Sequence, residues 1–170
     1  MRLTIAAVLA LAAALAACSK PAETPAEPAP AATAEATPTP AVAGPDDAAA
    51  QAMLASLPAP YNAADLANGR KQFARCRSCH TLGDGQADLT GPNLYGFFNR
   101  PMASRPGYNY SDAMKAAGQH PWDAEHLDEW IEDPRAAHPG TKMAFAGLKD
   151  ETDRRDLIAW LMTQTNYKPS

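Results

Sequence analysis

Two cysteines three positions apart, with a histidine directly after the second, constrain this chain more than any other feature. They form the run Cys76-Arg77-Ser78-Cys79-His80. On the last turn of a helix, thiols at this spacing can each add to one vinyl group of the same porphyrin, and the next residue can offer a ring nitrogen to the iron. A Cys-x-x-Cys pair alone also suits a redox pair or a zinc site. The adjacent histidine favours one covalently attached haem of the c type.

The cysteine count agrees with this interpretation. Cys76 and Cys79 would be used by the haem, which leaves only Cys18 among the three cysteines of the chain. A disulfide inside the domain is therefore not expected. A thioredoxin-like redox pair would need a βαβ pattern around the two cysteines, and the surrounding sequence does not have one.

Composition divides the 170 residues into two parts. Residues 1–60 contain no aromatic residue, whereas residues 61–170 hold all three Trp, all five Tyr and all four Phe. Only the second part can form a hydrophobic core, and about 110 residues are enough for one compact domain. The formal net charge is −4, so no basic character suggests a nucleic-acid partner.

The first 17 residues have the pattern of an export signal, in which Arg2 is followed by an apolar run. The run is about 15 residues long, shorter than the ~20 that a membrane-spanning helix needs. It ends in Leu15-Ala16-Ala17-Cys18, which resembles the lipobox of bacterial lipoprotein precursors. The resemblance implies cleavage before Cys18 and acylation of that residue, with the mature protein anchored at the periplasmic face of a bacterial membrane. A soluble periplasmic protein and an uncleaved N-terminal anchor are the alternatives.

Residues 18–60 are predicted to be a lipidated N-terminus followed by a disordered tether. Ala and Pro dominate this stretch. Repeated Pro removes backbone donors and disfavours helix, and no apolar pattern is evident that could bury a face. We expect a largely polyproline-like chain up to residue 60, with the folded domain occupying residues 61–170.

Four helices are predicted in the domain, and no stretch alternates convincingly as a strand. Gly69 falls on the apolar face of the first helix, where close approach by the last helix would explain a glycine. The intervening loops are long for an ordinary bundle, and a large prosthetic group replacing part of the core would keep them ordered. The predicted helices, each with its N-cap in parentheses, are residues 63–75 (Asn62), 112–117 (Ser111), 124–132 (Asp123) and 151–165 (Asp150).

His80 supplies one axial ligand to the expected iron, and the sequence leaves the second position open. Met143 lies in a loop with turn residues before it, which is unusual for an apolar side chain unless something binds it, although a lone Met is normally a gap-filler in the core. The candidates are His120, His126, His138, Met102, Met114, Met143 and water.

Five further motifs occur in a fixed order around the cysteine–histidine run. They are Gly69-x-x-x-Phe73, Gly91-Pro92-Asn93-Leu94, Pro106-Gly107-Tyr108-x-Tyr110-Ser111-Asp112-Ala113, Pro139-Gly140-Thr141-Lys142-Met143 and Asp156-Leu157-Ile158-Ala159-Trp160-Leu161. Together they cover nearly the whole domain, which resembles a class I cytochrome c, close to the mitochondrial and alphaproteobacterial type. The resemblance implies an all-α class I cytochrome c fold, with helices and loops wrapped around one covalently bound haem c.

The resemblance also implies the iron ligands. Cys76 and Cys79 correspond to the positions that bind the haem covalently, and Met143 to the sulfur ligand opposite His80. Pro92 corresponds to the residue whose carbonyl accepts the other N–H of the histidine, a contact that orients the ring.

Further residues match positions around the edge of the haem. Arg100, Tyr110 and Trp122 correspond to groups that bury and hydrogen-bond the propionates. Thr141 and Phe145 correspond to residues that flank the methionine ligand and the exposed haem edge.

The sequence departs from the family pattern on the methionine side. Trp130 occupies a position that is usually a Tyr whose hydroxyl points towards the methionine sulfur, and an indole N–H is only a donor. Met114 replaces a common Asn. Fewer Lys surround the expected haem edge than in mitochondrial members, and Lys142 is the main one. Long-range steering of a partner should therefore be modest.

These observations predict a monomeric, membrane-tethered periplasmic electron carrier rather than an enzyme. It would take one electron from a cytochrome bc1-type donor and deliver it to a haem–copper oxidase. A fixed haem subunit of a larger redox complex is the alternative. A haem peroxidase or gas sensor would need an open axial position, which the loop that carries Met143 argues against.

Overall fold

Six α-helices and one 3₁₀ turn form the regular structure of residues 47–169, the part of the chain that the computed structural model describes. Within these residues there is no β-strand, and the sole bridge joins Pro101 and Pro121. The predicted all-α class is therefore confirmed. The predicted signal peptide, Cys18 and residues 19–46 lie outside the described residues. The helices are α1 Asp47–Ser56, α2 Leu66–Phe73, α3 Asp112–Ala116, α4 Ala124–Glu132, α5 Pro134–Ala137 and α6 Glu151–Gln164, and the 3₁₀ turn is Tyr61–Ala63.

The crossing of α2 and α6 forms the centre of the fold. A Cβ added to Gly69 would lie 2.6 Å from the Cβ of Trp160 and would also collide with the backbone oxygen of Asp156. The rings of Phe73 and Trp160 pack with their centroids 4.9 Å apart. The predicted close approach at Gly69 is confirmed, because only a glycine leaves room for α6 at this point.

The prediction for the start of α2 is wrong. The helix begins at Leu66, and its N-cap is Asp65 rather than Asn62. One carboxylate oxygen of Asp65 accepts the N–H groups of Ala67 at 2.8 Å and Asn68 at 3.1 Å. An aspartate at this position satisfies orphan donors of the first turn, so the helix starts there. The residues before it form the separate 3₁₀ turn.

Helix α1 corrects the prediction of a disordered tether through residue 60. Residues 47–56 are helical, and they pack against α6 and the 3₁₀ turn. Ala50, Leu54 and Leu57 are buried at spacings of four and three residues. Arg70 of α2 forms an exposed ion pair with Asp47 at the start of α1. The folded region therefore begins no later than Asp47.

The other predicted helices agree with the structure to within one residue at each end. The side chains of Ser111, Asp123 and Asp150 accept backbone N–H groups at the starts of α3, α4 and α6. Pro134 ends the run of α4 and opens the short helix α5 at its first position, where a missing N–H costs nothing.

The interior of α6 is the most deeply buried part of the fold, with Leu157, Ile158 and Leu161 at its centre. In residues 47–169, no helix combines the length and apolar character required to cross a membrane.

Candidate functional site

A cavity of about 730 Å³ lies between the loops and the apolar faces of the helices. Cavities that hold small-molecule ligands commonly have volumes of about 300–1,000 Å³. Its lining includes every residue that the sequence assigned to the cofactor or the iron within the described chain. These residues are Cys76, Cys79, His80, Pro92, Arg100, Tyr110, Trp122, Trp130, Thr141, Met143 and Phe145.

The turn that follows α2 presents both cysteines to this cavity. The N–H of Cys76 donates to Phe73 O at 2.8 Å, and the N–H groups of Cys79 and His80 both donate to Cys76 O at 3.0 Å. Neither thiol is in a disulfide. Burial raises the pKa of the Cys76 thiol to about 11, so this thiol is neutral at physiological pH.

His80 is held in one orientation by the backbone. Its Nδ1–H donates to the carbonyl oxygen of Pro92 at 2.7 Å, and because a carbonyl only accepts, the proton is on Nδ1. Nε2 then carries a lone pair. Burial lowers the pKa of His80, and the bond to Pro92 partly offsets that effect. A Cβ on Gly91 would lie 2.7 Å from Nε2 and 2.8 Å from Nδ1, so only a glycine leaves room for the imidazole ring of His80.

Only two of the six side chains considered for the second axial position line the cavity, namely Met143 and Met114. Met102 is 2% exposed and packs in the core instead. The backbone N–H of Met143 donates to the hydroxyl of Thr141 at 3.2 Å, and this bond stabilises the turn that carries the methionine. The three other histidines are outside the lining, and two of them pack against each other.

Aromatic side chains form one wall of the cavity. The rings of Trp122 and Trp130 meet edge to face at 5.7 Å, and Phe97 meets Trp122 at 6.5 Å. Tyr108 and Tyr110 form a second edge-to-face pair at 4.7 Å. Burial raises the pKa of the Tyr110 hydroxyl, so it is available as a neutral hydrogen-bond donor. These rings give the cavity a largely apolar wall.

The sequence did not predict a set of side-chain contacts, from Arg105 and Tyr108, that holds the segment with Pro92. We call this set of contacts the brace. Arg105 forms an ion pair with Asp88, and the same carboxylate oxygen of Asp88 accepts the N–H of Asn93 at 2.8 Å. Tyr108 donates its hydroxyl to Thr90 O at 2.5 Å. Tyr108 belongs to one of the ordered motifs, the one that begins at Pro106, but no sequence pattern connects Arg105 with Asp88. This brace fixes the carbonyl that orients His80.

The side chain of Asn93 completes the same segment. It is 3% exposed, and its amide donates to the hydroxyl of Thr81 at 2.7 Å and to Gly83 O at 3.0 Å. The residues around His80 are therefore held by side-chain bonds rather than by regular secondary structure.

Comparisons with known proteins agree on one family. The family model described as cytochrome c matches residues 66–165. Cytochrome c from Stellaria longipes is 45% identical over 106 residues, which are 62% of this chain and 97% of that protein. Cytochrome c2 from Rhodomicrobium vannielii is 45% identical over 104 residues, 61% of this chain and 82% of that protein. Cytochrome c2 from Blastochloris viridis is 45% identical over 109 residues, 64% of this chain and 85% of that protein.

Proposed function

The chain belongs to the cytochrome c family, and on that premise we propose that it is a membrane-tethered one-electron carrier with His80 and Met143 as its axial ligands. Proteins of this family carry haem c bound covalently and act in electron transfer. The observation that supports the ligand assignment is that both thiols, the free nitrogen of His80 and the loop with Met143 all line one cavity.

The residues present fit the cofactor. Two thiols can form thioether bonds, an oriented imidazole and a thioether sulfur are suitable iron ligands, and Gly91 leaves room for the ring of His80. When bound, haem c supplies a ferric/ferrous couple, and a neutral methionine ligand favours the reduced form. Arg100 and Tyr110 place a guanidinium and a hydroxyl on the cavity wall, where they can bind carboxylates.

In electron transfer, the chain's own residues would hold the iron ligands in a fixed orientation and shield them from water. The brace from Arg105 through Asp88 keeps Pro92 in place, and Pro92 keeps His80 in one tautomer. Trp122 and Trp130 shield the cavity wall that they form from water. Fixed ligands and a low-dielectric wall reduce the rearrangement that accompanies a change of charge.

We further propose that Cys18 is acylated and that the protein acts at the periplasmic face of a bacterial membrane. The proposal rests on the export-signal pattern and the Leu15-Ala16-Ala17-Cys18 run. Several acyl chains would hold the protein on the membrane, since each buried CH₂ adds about 0.8 kcal/mol. Mass spectrometry of the mature N-terminus tests this, and a mature chain that begins elsewhere would contradict it.

The proposed partners are a cytochrome bc1-type donor and a haem–copper oxidase. Two other basic residues have acidic partners, since Lys115 pairs with Asp112 and Lys149 with Asp133. Nζ of Lys142 donates to the backbone oxygens of Asn109 and Tyr110. With these charges engaged locally, a shared membrane would bring the partners together more than long-range attraction.

Absorption spectroscopy of the holoprotein tests the ligand assignment. We expect a methionine-to-ferric-iron charge-transfer band in the near infrared that is lost in Met143→Ala. The ferrous variant should bind carbon monoxide rapidly, whereas the wild type should not. Met114→Leu, which changes the other methionine of the cavity, is the control and should keep the band. Rapid carbon monoxide binding by the wild type, or loss of the band only in Met114→Leu, would overturn the assignment.

A further inference from the structure

Three histidines that the haem site does not use gather beside α4. The imidazole centroids of His120 and His126 are 5.3 Å apart with their planes tilted by 42°. The ring of His138 packs on Trp130 at 5.5 Å. Burial lowers the pKa of His138, and the charges of His120 and His126 lower it further, so all three imidazoles lie within electrostatic reach.

His126 is oriented as metal-binding histidines usually are. Its Nδ1 lies 2.8 Å from a carboxylate oxygen of Asp123, which can only accept, so the proton is on Nδ1 and Nε2 carries a lone pair. A carboxylate behind the imidazole is the common outer-shell arrangement of metal-binding histidines, because it fixes the tautomer and raises the basicity of the ligand. The side chain of His126 is 33% exposed, which leaves it accessible from solvent.

The rings of His120 and His126 lie at a separation that suits a shared metal ion. With metal–nitrogen bonds of about 2.1 Å and a tetrahedral angle at the metal, two imidazole rings on one ion have centroids about 5 Å apart. The observed 5.3 Å matches that separation. The backbone around His120 is anchored, since its N–H donates to Ala117 O at 3.0 Å and its carbonyl accepts the N–H of Met102 at 2.8 Å. The ring itself is exposed.

The surrounding charge favours a cation. Asp123 is the N-cap of α4 and Glu125 lies in its first turn, so two carboxylates lie within three residues of His126. Glu129, also on α4, partly offsets the lowering of the pKa of His138. Acidic side chains around an imidazole pair increase its attraction for divalent ions.

We propose that His120 and His126 bind one divalent transition-metal ion of the class that imidazole prefers, such as Zn²⁺ or Cu²⁺, with water completing the coordination. Asp123 is the positioning residue for His126. Among the described residues, no group of three or more His, Cys, Asp or Glu is arranged to hold a metal ion. The site is therefore assigned to the pair, and His138 is a neighbour rather than a ligand. It is separate from the haem cavity, because neither histidine lines that cavity.

Isothermal titration of Zn²⁺ into the full-length holoprotein tests this proposal. The holoprotein is used because its thiols at Cys76 and Cys79 are consumed by the cofactor and cannot bind zinc. We expect one Zn²⁺ per chain, and a loss of affinity of more than about tenfold in His120→Ala and in His126→Ala. Mg²⁺, which prefers oxygen ligands, should not bind at this site.

Two further variants separate a metal site from general surface binding. Asp123→Asn keeps a good N-cap for α4 but removes the carboxylate, so we expect about a tenfold loss of affinity with the helix intact. His138→Ala is the matched control and should leave Zn²⁺ affinity unchanged. The haem absorption spectrum of each variant checks that it is folded. Equal affinity in wild type, His120→Ala and His126→Ala, or a loss confined to His138→Ala, would overturn the assignment.

Discussion

At the scale of single residues, the chain buries a few charged groups and satisfies each with several hydrogen bonds. Asp156 is 1% exposed at the crossing of α2 and α6. Its carboxylate accepts the amide of Asn68 at 2.9 Å and the backbone N–H of Asp65 at 3.1 Å, and it pairs with Arg155. Burial raises the pKa of Asp156, but the bonds from Asn68, Arg155 and Asp65 outweigh it and hold the pKa below the usual value.

The lowered pKa of Asp156 predicts how stability depends on pH. A depressed folded-state pKa contributes stability that is present above the unfolded value of about 3.9 and is lost as the pH falls through the folded value. Asp156→Asn should therefore lower the unfolding free energy by about 1–3 kcal/mol at neutral pH. The difference from wild type should shrink as the pH falls below about 4. Denaturant titrations at several pH values measure both, and a difference that is constant with pH would contradict the interpretation.

Arg154 provides a second residue-scale prediction. Its side chain is 7% exposed, and it donates to Asp128 at 2.8 Å and to the backbone oxygens of Leu148 and Lys149. Arg154→Met leaves these acceptors unpaired, so we expect a loss of about 2–3 kcal/mol in unfolding free energy. Lys115→Met, which removes an exposed pair, is the control and should change it by no more than about 0.5 kcal/mol. Chemical denaturation measures both, and equal losses would refute the role of burial.

At the scale of elements, α1 is the longest part of the fold that the sequence did not predict. Half of its ten residues are Ala, and the Ala and Pro content around it suggests an unfolded chain. The buried positions Ala50, Leu54 and Leu57 nevertheless follow a helical spacing. Because an isolated helix this short is marginal in water, α1 depends on packing against α6 for its stability.

Leu54→Ala tests whether α1 is docked on the domain. Leu54 is buried, so truncation should weaken the docking by about 2–3 kcal/mol. Because a terminal helix can open locally, the effect should be greatest in the hydrogen exchange of amides in residues 47–57. Gln51→Ala on the exposed side of the same helix is the control. Unprotected amides in the wild type would contradict the docked helix.

At the scale of the whole molecule, α1 changes the geometry of the proposed attachment. The folded part begins no later than Asp47 rather than at residue 61, so at most residues 19–46 separate it from Cys18. Fully extended, such a segment reaches at most on the order of 100 Å. The proposed anchor would therefore keep the haem domain closer to the membrane than a tether up to residue 60 would.

Removal of the anchor should slow electron exchange with membrane complexes. Cys18→Ser releases the full-length holoprotein from the proposed attachment, whereas a shared membrane keeps partners at an effective concentration of order mM. At micromolar concentration, we expect slower reduction by membranes that contain the donor, with recovery at millimolar concentration. Stopped-flow absorbance of the haem measures the rate. Equal rates for wild type and Cys18→Ser at micromolar concentration would contradict the proposal that the anchor speeds electron exchange.

The sequence by itself determined the features that depend on neighbouring residues. The run from Cys76 to His80 specified the cofactor, since the chemistry of attachment requires that spacing. Ser111, Asp123 and Asp150 located the starts of three helices, because a cap acts within one turn. The ordered motifs, through the family resemblance, also identified many of the residues that line the cavity.

The tertiary structure decided what depends on contacts distant in the chain. Docking on α6 makes residues 47–56 a helix, although their composition resembles that of a tether. The fold excludes four of the six side chains considered as second ligand from the cavity and brings Met143 to it. Arg105 meets Asp88 only because two loop segments without local signals fold against each other. Such pairs depend on chain closure and packing, which a local pattern does not encode.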